Sequence, residues 1–272
     1  MPDKDKTKVT ILPTGTMHAD QTWLLVSPNK MATWNNPDKK RDWVEVPTHA
    51  IFIETPDGKK LLWDAGVPRD WQDRWNPAGF DQFFPVDAAT EDMWLDSRLQ
   101  QLNLEPGDLD YLLLSHLHMD HAANAQWWRN TGTTIVVDEA EKEGAFSFDG
   151  YNKGAHIKSD YDGLDLTTIN EDTEVLPGIK LLRTPGHTWG TLSLQVDLAD
   201  SGTMLFTSDS LYLRESYGPP AVAAGIVYDT VAWFNSVEKI RNIEEKTNAH
   251  VIFGHDSEQL KGLRTGPGNY YT

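Results

Sequence analysis

The 272-residue chain contains no cysteine, so disulfides and thiolate-held metals are both excluded. Basic residues are scarce: 24 Lys and Arg stand against 41 Asp and Glu, a formal net charge of −17. A surface of that sign repels a phosphate backbone, which argues against nucleic acid as a partner. No run of about 18 apolar residues occurs, so no membrane-spanning segment is expected. The charged stretch from Met1 to Lys8 leads into nothing like the apolar core of a secretory signal, and the cytoplasm is the expected location. Fixed-period repeats and low-complexity linkers are also missing, so a single domain over residues 1–272 is expected.

What remains is an ordinary globular composition, 39% hydrophobic and 24% charged, with two unusual features. One is the count of 11 tryptophans, several of which (Trp23, Trp34, Trp43, Trp71 and Trp75) fall in segments rich in Pro, Asn and Asp. The other is the stretch Ser115-His116-Leu117-His118-Met119-Asp120-His121, in which four of seven residues can bind a metal. Buried without one, those imidazoles and that carboxylate would leave several polar groups needing partners, which is costly. Tyr111-Leu112-Leu113-Leu114 before it reads as a buried strand. If the strand continues through the first two histidines, its two-residue period puts His116 and His118 on one face. Asp120 and His121 then lie past its end, facing a second point, so the spacing suggests two adjacent metals. Nitrogen and oxygen donors suit zinc first, with iron, manganese or cobalt as alternatives.

Along the chain, Val9 to Leu12 reads as a strand broken by Pro13 and Gly15, and residues 17–43 show no clear period. Val46 to Glu54 and Lys60 to Asp64 form a hairpin around Pro56-Asp57-Gly58. Residues 67–89 are irregular and aromatic, and Glu91 to Leu102 has the pattern of an amphipathic helix. A helix is expected within 120–130, a strand over 133–137 and a long irregular section over 141–165, with Tyr151 among its aromatics. Strands follow over 166–169, 173–176, 179–182, 192–196, 203–207 and 250–253. Asp229 is placed to cap a helix whose apolar positions, Trp233, Phe234, Val237, Ile240 and Ile243, make one buried face. A metal-binding residue stands just beyond a strand at His116, His187, Asp209 and His255. Strand ends held by a rigid sheet converge well, so all four places are expected to meet.

With those residues in view, the chain resembles the metallo-β-lactamase superfamily, through His-x-His-x-Asp-His at 116–121, Pro-Gly-His at 185–187, Ser-Asp at 208–209 and Gly-His at 254–255. The resemblance implies a four-layer αββα sandwich with the metals at one edge of the two sheets. It also implies that His116, His118 and His187 hold one metal, that Asp120, His121 and His255 hold the other, and that Asp209 bridges them. Within the superfamily the chain is most similar to the N-acyl homoserine lactonases and the related 4-pyridoxolactonases, because Tyr212 follows Asp209 by three residues and little chain follows His255. It departs from them in its tryptophan-rich N-terminal half, where that family builds its substrate pocket.

The function so implied is hydrolysis of a small lactone, with a homoserine lactone as the expected substrate and quorum quenching as its biological effect. A paired-metal site lowers the pKa of a shared water enough to give hydroxide, which attacks the carbonyl. Tyr212 is placed to donate a hydrogen bond to the developing oxyanion, and Asp120 to pass a proton to the departing ring oxygen. Trp34 and Trp75 are the expected walls of the substrate pocket, within aromatic segments at 17–43 and 67–85. Asp64, Asp256 and His49 are candidates for orienting ligands, and the N-terminal aromatic segments for a homodimer contact. The leading alternatives are a glyoxalase II-type thioester hydrolase, which lacks its helical extension here, and a hydrolase of an aromatic or simple lactone.

Overall fold

Two β-sheets meet face to face because each presents one apolar face. The computed structural model describes residues 6–27, 30–147 and 155–272. The first sheet is ordered β1-β2-β3-β4-β5-β6, built from Lys8–Asp20, Trp43–Glu54, Lys60–Trp63, Tyr111–Leu113, Thr134–Asp138 and Leu166–Ile169. Its first three strands pair antiparallel, and β3 to β6 are parallel. The second sheet is ordered β11-β10-β9-β8-β7, from β7 Thr173–Leu176, β8 Ile179–Arg183, β9 Leu192–Leu198, β10 Gly202–Phe206 and β11 His250–Ile252. It is antiparallel except for the β10–β11 pair.

Val9, Ile11, Ile51, Ile53, Leu61, Trp63 and Leu113 of the first sheet pack against Leu181, Leu194, Val196, Met204 and Phe206 of the second. Each such side chain contributes roughly 1.5–3 kcal/mol on leaving water. The helices are α1 Trp71–Trp75, α2 Phe80–Phe83, α3 Leu95–Gln101, α4 Glu139–Ser147, α5 Arg214–Tyr217, α6 Thr230–Thr247 and α7 Ser257–Lys261. Leu95 and Leu99 of α3 and Ala145 of α4 cover the outer face of the first sheet. On the second sheet the covering helix is α6: Asp229 caps it by accepting the Ala232 N–H at 2.9 Å, and Trp233, Val237 and Ile240 are buried against Leu205 and Val251. The order of layers is α, β, β, α. Among the described residues, no helix is long and apolar enough to cross a membrane.

The first strand does not stop at Pro13. It continues to Asp20 through a bulge, Pro13 pairing with His49 and Gly15 with Thr48, so that Thr14 is the extra residue. Proline is tolerated there because β1 is an edge strand. Below the bulge Val9 and Ile11 face the space between the sheets; above it Met17 and Ala19 belong to a separate apolar cluster with Trp75, Phe84 and Met119.

Three further expectations are corrected. The metal-bearing strand ends at Leu113, before the histidines, because the Ser115 N–H goes to the Asp64 carboxylate at 2.7 Å instead of into a ladder. The expected helix over 120–130 reduces to a short 3-10 turn, Ala125–Trp128. Conversely, α4 lies where an irregular stretch was expected, its Glu, Lys and Gly residues giving little apolar periodicity. Tyr151 and the charged stretch Met1–Asp5 lie outside the described residues.

Candidate active site

Every metal-binding side chain singled out by sequence projects from a loop at one end of the two sheets. The 116–121 loop follows β4, His187 follows β8, Asp209 follows β10 and His255 follows β11. The structure brings all seven together in two groups, His116, His118, His187 and Asp209 in one and Asp120, His121 and His255 in the other. Within each group the donor atoms lie within 4.8 Å of one another.

In the first group His187 Nε2 lies 3.2 Å from His116 Nε2, 3.0 Å from His118 Nδ1 and 3.2 Å from Asp209 Oδ2. In the second, Asp209 Oδ1 is 3.1 Å from His121 Nε2 and 3.0 Å from His255 Nε2, while Asp120 Oδ2 is 3.4 Å from His121 Nε2. One carboxylate thus offers one oxygen to each group.

The opposite ring nitrogens are held from behind. Nδ1 of His116 meets Ser115 Oγ at 3.0 Å, Nδ1 of His121 meets Asp64 Oδ2 at 2.8 Å, Nδ1 of His187 meets the Ile226 carbonyl at 2.9 Å and Nδ1 of His255 meets the Pro47 carbonyl at 2.9 Å. Such partners fix ring orientation and leave Nε2 aimed inward. Of the other candidates for this role, Asp256 instead caps α7 through the Gln259 N–H, and His49 pairs with Pro13 in the sheet.

Burial and neighbouring imidazoles push His116 and His118 well below the ordinary histidine value, so both rings are neutral. Burial acts the same way on His121, but the carboxylates of Asp120, Asp209 and Asp64 outweigh it and hold that ring well above the ordinary value. Burial would raise the Asp209 carboxyl; His121, His255 and His187 hold it far below the usual range instead. Among the described residues, Nε2 of His118 and of His121 are buried without an aligned hydrogen-bond partner. Orphaned imidazole nitrogens around a shared carboxylate, with no thiolate present, fit two divalent cations.

Tyr212 is buried beside this cluster, its hydroxyl 3.3 Å from His187 Nδ1. Burial first, then the charges of Asp209 and Asp120, push its phenol well above the ordinary value, so it stays a donor. A cavity opens here, with His118, Asp120, Asp209, Tyr212 and His255 on its polar side. Its apolar wall includes Met17, Trp23, Leu24, Phe84, Met119 and Ile226.

Two expected wall residues are corrected. Trp34 is 96% exposed and points to solvent from a tight turn closed by the Thr33–Asn36 bridge. Trp75 is completely buried, packed on Trp71 with ring centroids 5.8 Å apart, and does not reach the cavity. The cavity does draw on both aromatic segments, through neighbours whose side chains happen to face inward. The bulge at Thr14 turns Met17 toward the cavity; no sequence signal distinguishes Phe84, which lines the cavity, from Phe83, which is 45% exposed.

Sequence reasoning also missed Glu141 and His156. Glu141 Oε1 accepts from His156 Nε2 at 3.0 Å, and the His156 ring packs on His118 with centroids 4.3 Å apart. Burial would raise the Glu141 carboxyl, but the hydrogen bond and charge of His156, with Thr188 and the Leu117 N–H, hold it below its ordinary value.

A four-layer α/β sandwich with two histidine and aspartate groups at one sheet edge is the architecture of a metal-dependent hydrolase. The chain belongs to the metallo-β-lactamase superfamily, whose family model matches residues 43–255. It is similar to the N-acyl homoserine lactonase AiiB of Agrobacterium fabrum, with 30% identity over 276 aligned positions covering 97% of this chain and 99% of the relative. It is 32% identical to the lactonase AiiA of Bacillus thuringiensis subsp. kurstaki over 228 positions, 82% of this chain and 87% of that one. Among solved structures, an N-acyl homoserine lactone hydrolase with the product N-hexanoyl-L-homoserine at its catalytic metal centre superposes with a TM-score of 0.79 at 27% identity, covering 96% of this chain and 98% of that one.

Proposed function

We propose that this protein is a dinuclear metal-dependent lactonase that opens N-acyl homoserine lactones. The observation that carries the reading is the placement of the Asp209 carboxylate between the two donor groups, at the floor of a largely apolar cavity. The naming of relatives that align over nearly the whole chain supports the same substrate class.

His116, His118 and His187 would hold one cation, Asp120, His121 and His255 the other, and Asp209 both; zinc suits this nitrogen and oxygen set. When bound, the pair supplies Lewis-acid polarisation of the carbonyl and a water acidic enough to ionise near neutral pH. Tyr212 donates its hydroxyl hydrogen to the carbonyl oxygen as negative charge grows there. Asp120 carries the proton given up by the attacking water to the ring oxygen as its bond to the carbonyl carbon breaks. Met17, Trp23, Phe84 and Ile226 enclose the acyl chain, exclude water and fix the lactone against the floor. The product is an N-acyl homoserine, with a carboxylate and a hydroxyl where the ring ester was.

The test is acid release from short- and long-chain acyl homoserine lactones, a plain γ-lactone, an aromatic lactone and a glutathione thioester. Rapid turnover of the acyl homoserine lactones that vanishes in Asp209→Ala is the expected result. Turnover of the thioester alone would replace this reading with the glyoxalase II type.

A further inference from the structure

Asp64 backs His121 of the second group directly and reaches the first group only through Ser115, whose N–H and hydroxyl it accepts at 2.7 and 2.9 Å. Among the described residues, no acidic side chain meets the ring nitrogens of the first group from behind: His116 is backed by Ser115 and His187 by the Ile226 carbonyl. A second carboxylate, Glu141, acts on the backbone of that group instead.

Glu141 is completely buried in the first turn of α4, where the helix N-terminus favours negative charge. Oε1 accepts the N–H of Leu117, the residue between His116 and His118, at 2.9 Å. Oε2 accepts the N–H of Gly190, three residues beyond His187, at 3.3 Å. His156 bonds to the same carboxylate and packs on His118, and its other nitrogen lies 3.4 Å from the Tyr228 hydroxyl. Glu141 therefore touches both ligand-bearing loops and the ring behind one ligand.

The fit of the His187 loop on α4 leaves no slack. A Cβ at Gly190 would lie 2.3 Å from Asp138 Oδ1 and 2.6 Å from the Glu141 nitrogen. A Cβ at Gly144, one turn further along α4, would lie 2.2 Å from the Trp189 ring. The helix thus receives the loop at two glycine-sized contacts, with the carboxylate between them.

We propose that Glu141 is the positioning residue of the first donor group, setting the His118–His187 spacing by tying together the loops that carry them. A glutamine there could accept from Leu117 but would turn its NH2 group toward the Gly190 N–H, two donors face to face. The inference rests on the reading of the donor groups as cation sites, and it predicts that altering Glu141 weakens the first site and spares the second.

The experiment is titration of chelator-stripped protein with Co(II), followed by visible absorption and metal analysis, on wild type, Glu141→Gln, His156→Gln and Asp64→Asn. Expected is two ions on wild type, with ten- to hundredfold weaker binding of one ion in Glu141→Gln and no change in the other. The residual spectrum of that variant should differ from that of Asp64→Asn, which acts directly on the opposite site through His121. His156→Gln keeps a donor to Glu141 and removes the ring behind His118; a smaller loss at the same site is expected, and this variant carries the test if Glu141→Gln does not fold. A merely structural Glu141 would lower the melting temperature of the stripped protein and leave both affinities intact, which overturns the proposal. Wild type that binds no cation would instead remove the metal reading and this inference with it.

Discussion

Asp64 holds His121 from behind, carboxylate oxygen to Nδ1 at 2.8 Å, and does so from a left-handed backbone with φ of 61°. Asparagine tolerates that backbone, so Asp64→Asn keeps the shape and removes the charge. Loss of such a partner costs roughly 10- to 100-fold in metal affinity or activity. The variant should show that loss in kcat/KM with a largely unchanged circular dichroism spectrum. Undiminished activity at limiting metal would show that His121 needs no such support.

Tyr212→Phe removes the phenol that lines the cavity floor beside the donor groups. We expect kcat to fall roughly 100- to 1000-fold with both ions retained. Because burial and the nearby carboxylates push this phenol upward, the wild-type rate should show no alkaline decline from this group below about pH 10. A decline near pH 8 that disappears in the phenylalanine variant would contradict the assignment.

The apolar wall should govern chain-length preference, and the exposed tryptophan should not. Ile226→Trp fills the cavity and is expected to raise KM for long-chain lactones about 10-fold while sparing short ones. Trp34→Ala is expected to change neither KM nor, beyond about 0.5 kcal/mol, stability. A chain-length series on both variants checks the pair, and the reverse ranking would return Trp34 to the pocket.

Away from the site, Asp160 is buried against Arg74, Nη1 to Oδ1 at 3.1 Å, with no aligned hydrogen-bond partner for its other oxygen among the described residues. Burial pushes its carboxyl up to about 7. The folded protein therefore holds a proton that the unfolded chain releases near pH 4, and stability from this group falls as pH rises from about 4 to about 7. Asp160→Asn removes that slope. Relative to wild type, the variant should gain on the order of 2 kcal/mol between pH 4.5 and pH 8 in urea unfolding. A constant difference across that range would show that Arg74 neutralises the burial cost.

The two donor groups were legible in sequence because their members lie just past strands, and strand ends are marked by short apolar runs such as Tyr111–Leu113 and His250–Ile252. The local geometry was less legible: His116 and His118 converge by loop geometry, with His118 offering Nδ1 toward His187 where its neighbours offer Nε2. Glu141 gave no signal, since it sits among Glu139 and Glu143 in a segment that reads as solvated, and only tertiary packing separates the buried one. Trp75 and Trp34 failed as pocket residues for opposite reasons, one wholly in the core and one wholly outside it. An aromatic-rich segment announces that something apolar is covered without saying which ring does the covering.

Thr14, the extra residue of the β1 bulge, decides which way the upper half of that strand faces. A one-residue slip sends every side chain beyond it to the opposite side of a sheet. Were Thr14 drawn into the ladder, Gly15 and every residue after it would slip by one position along β2, so that Met17 and Ala19 would leave the cavity cluster and their polar neighbours Thr16 and His18 would enter it. For this architecture the side chains offered to the substrate are set by which residue of the strand stays out of the ladder.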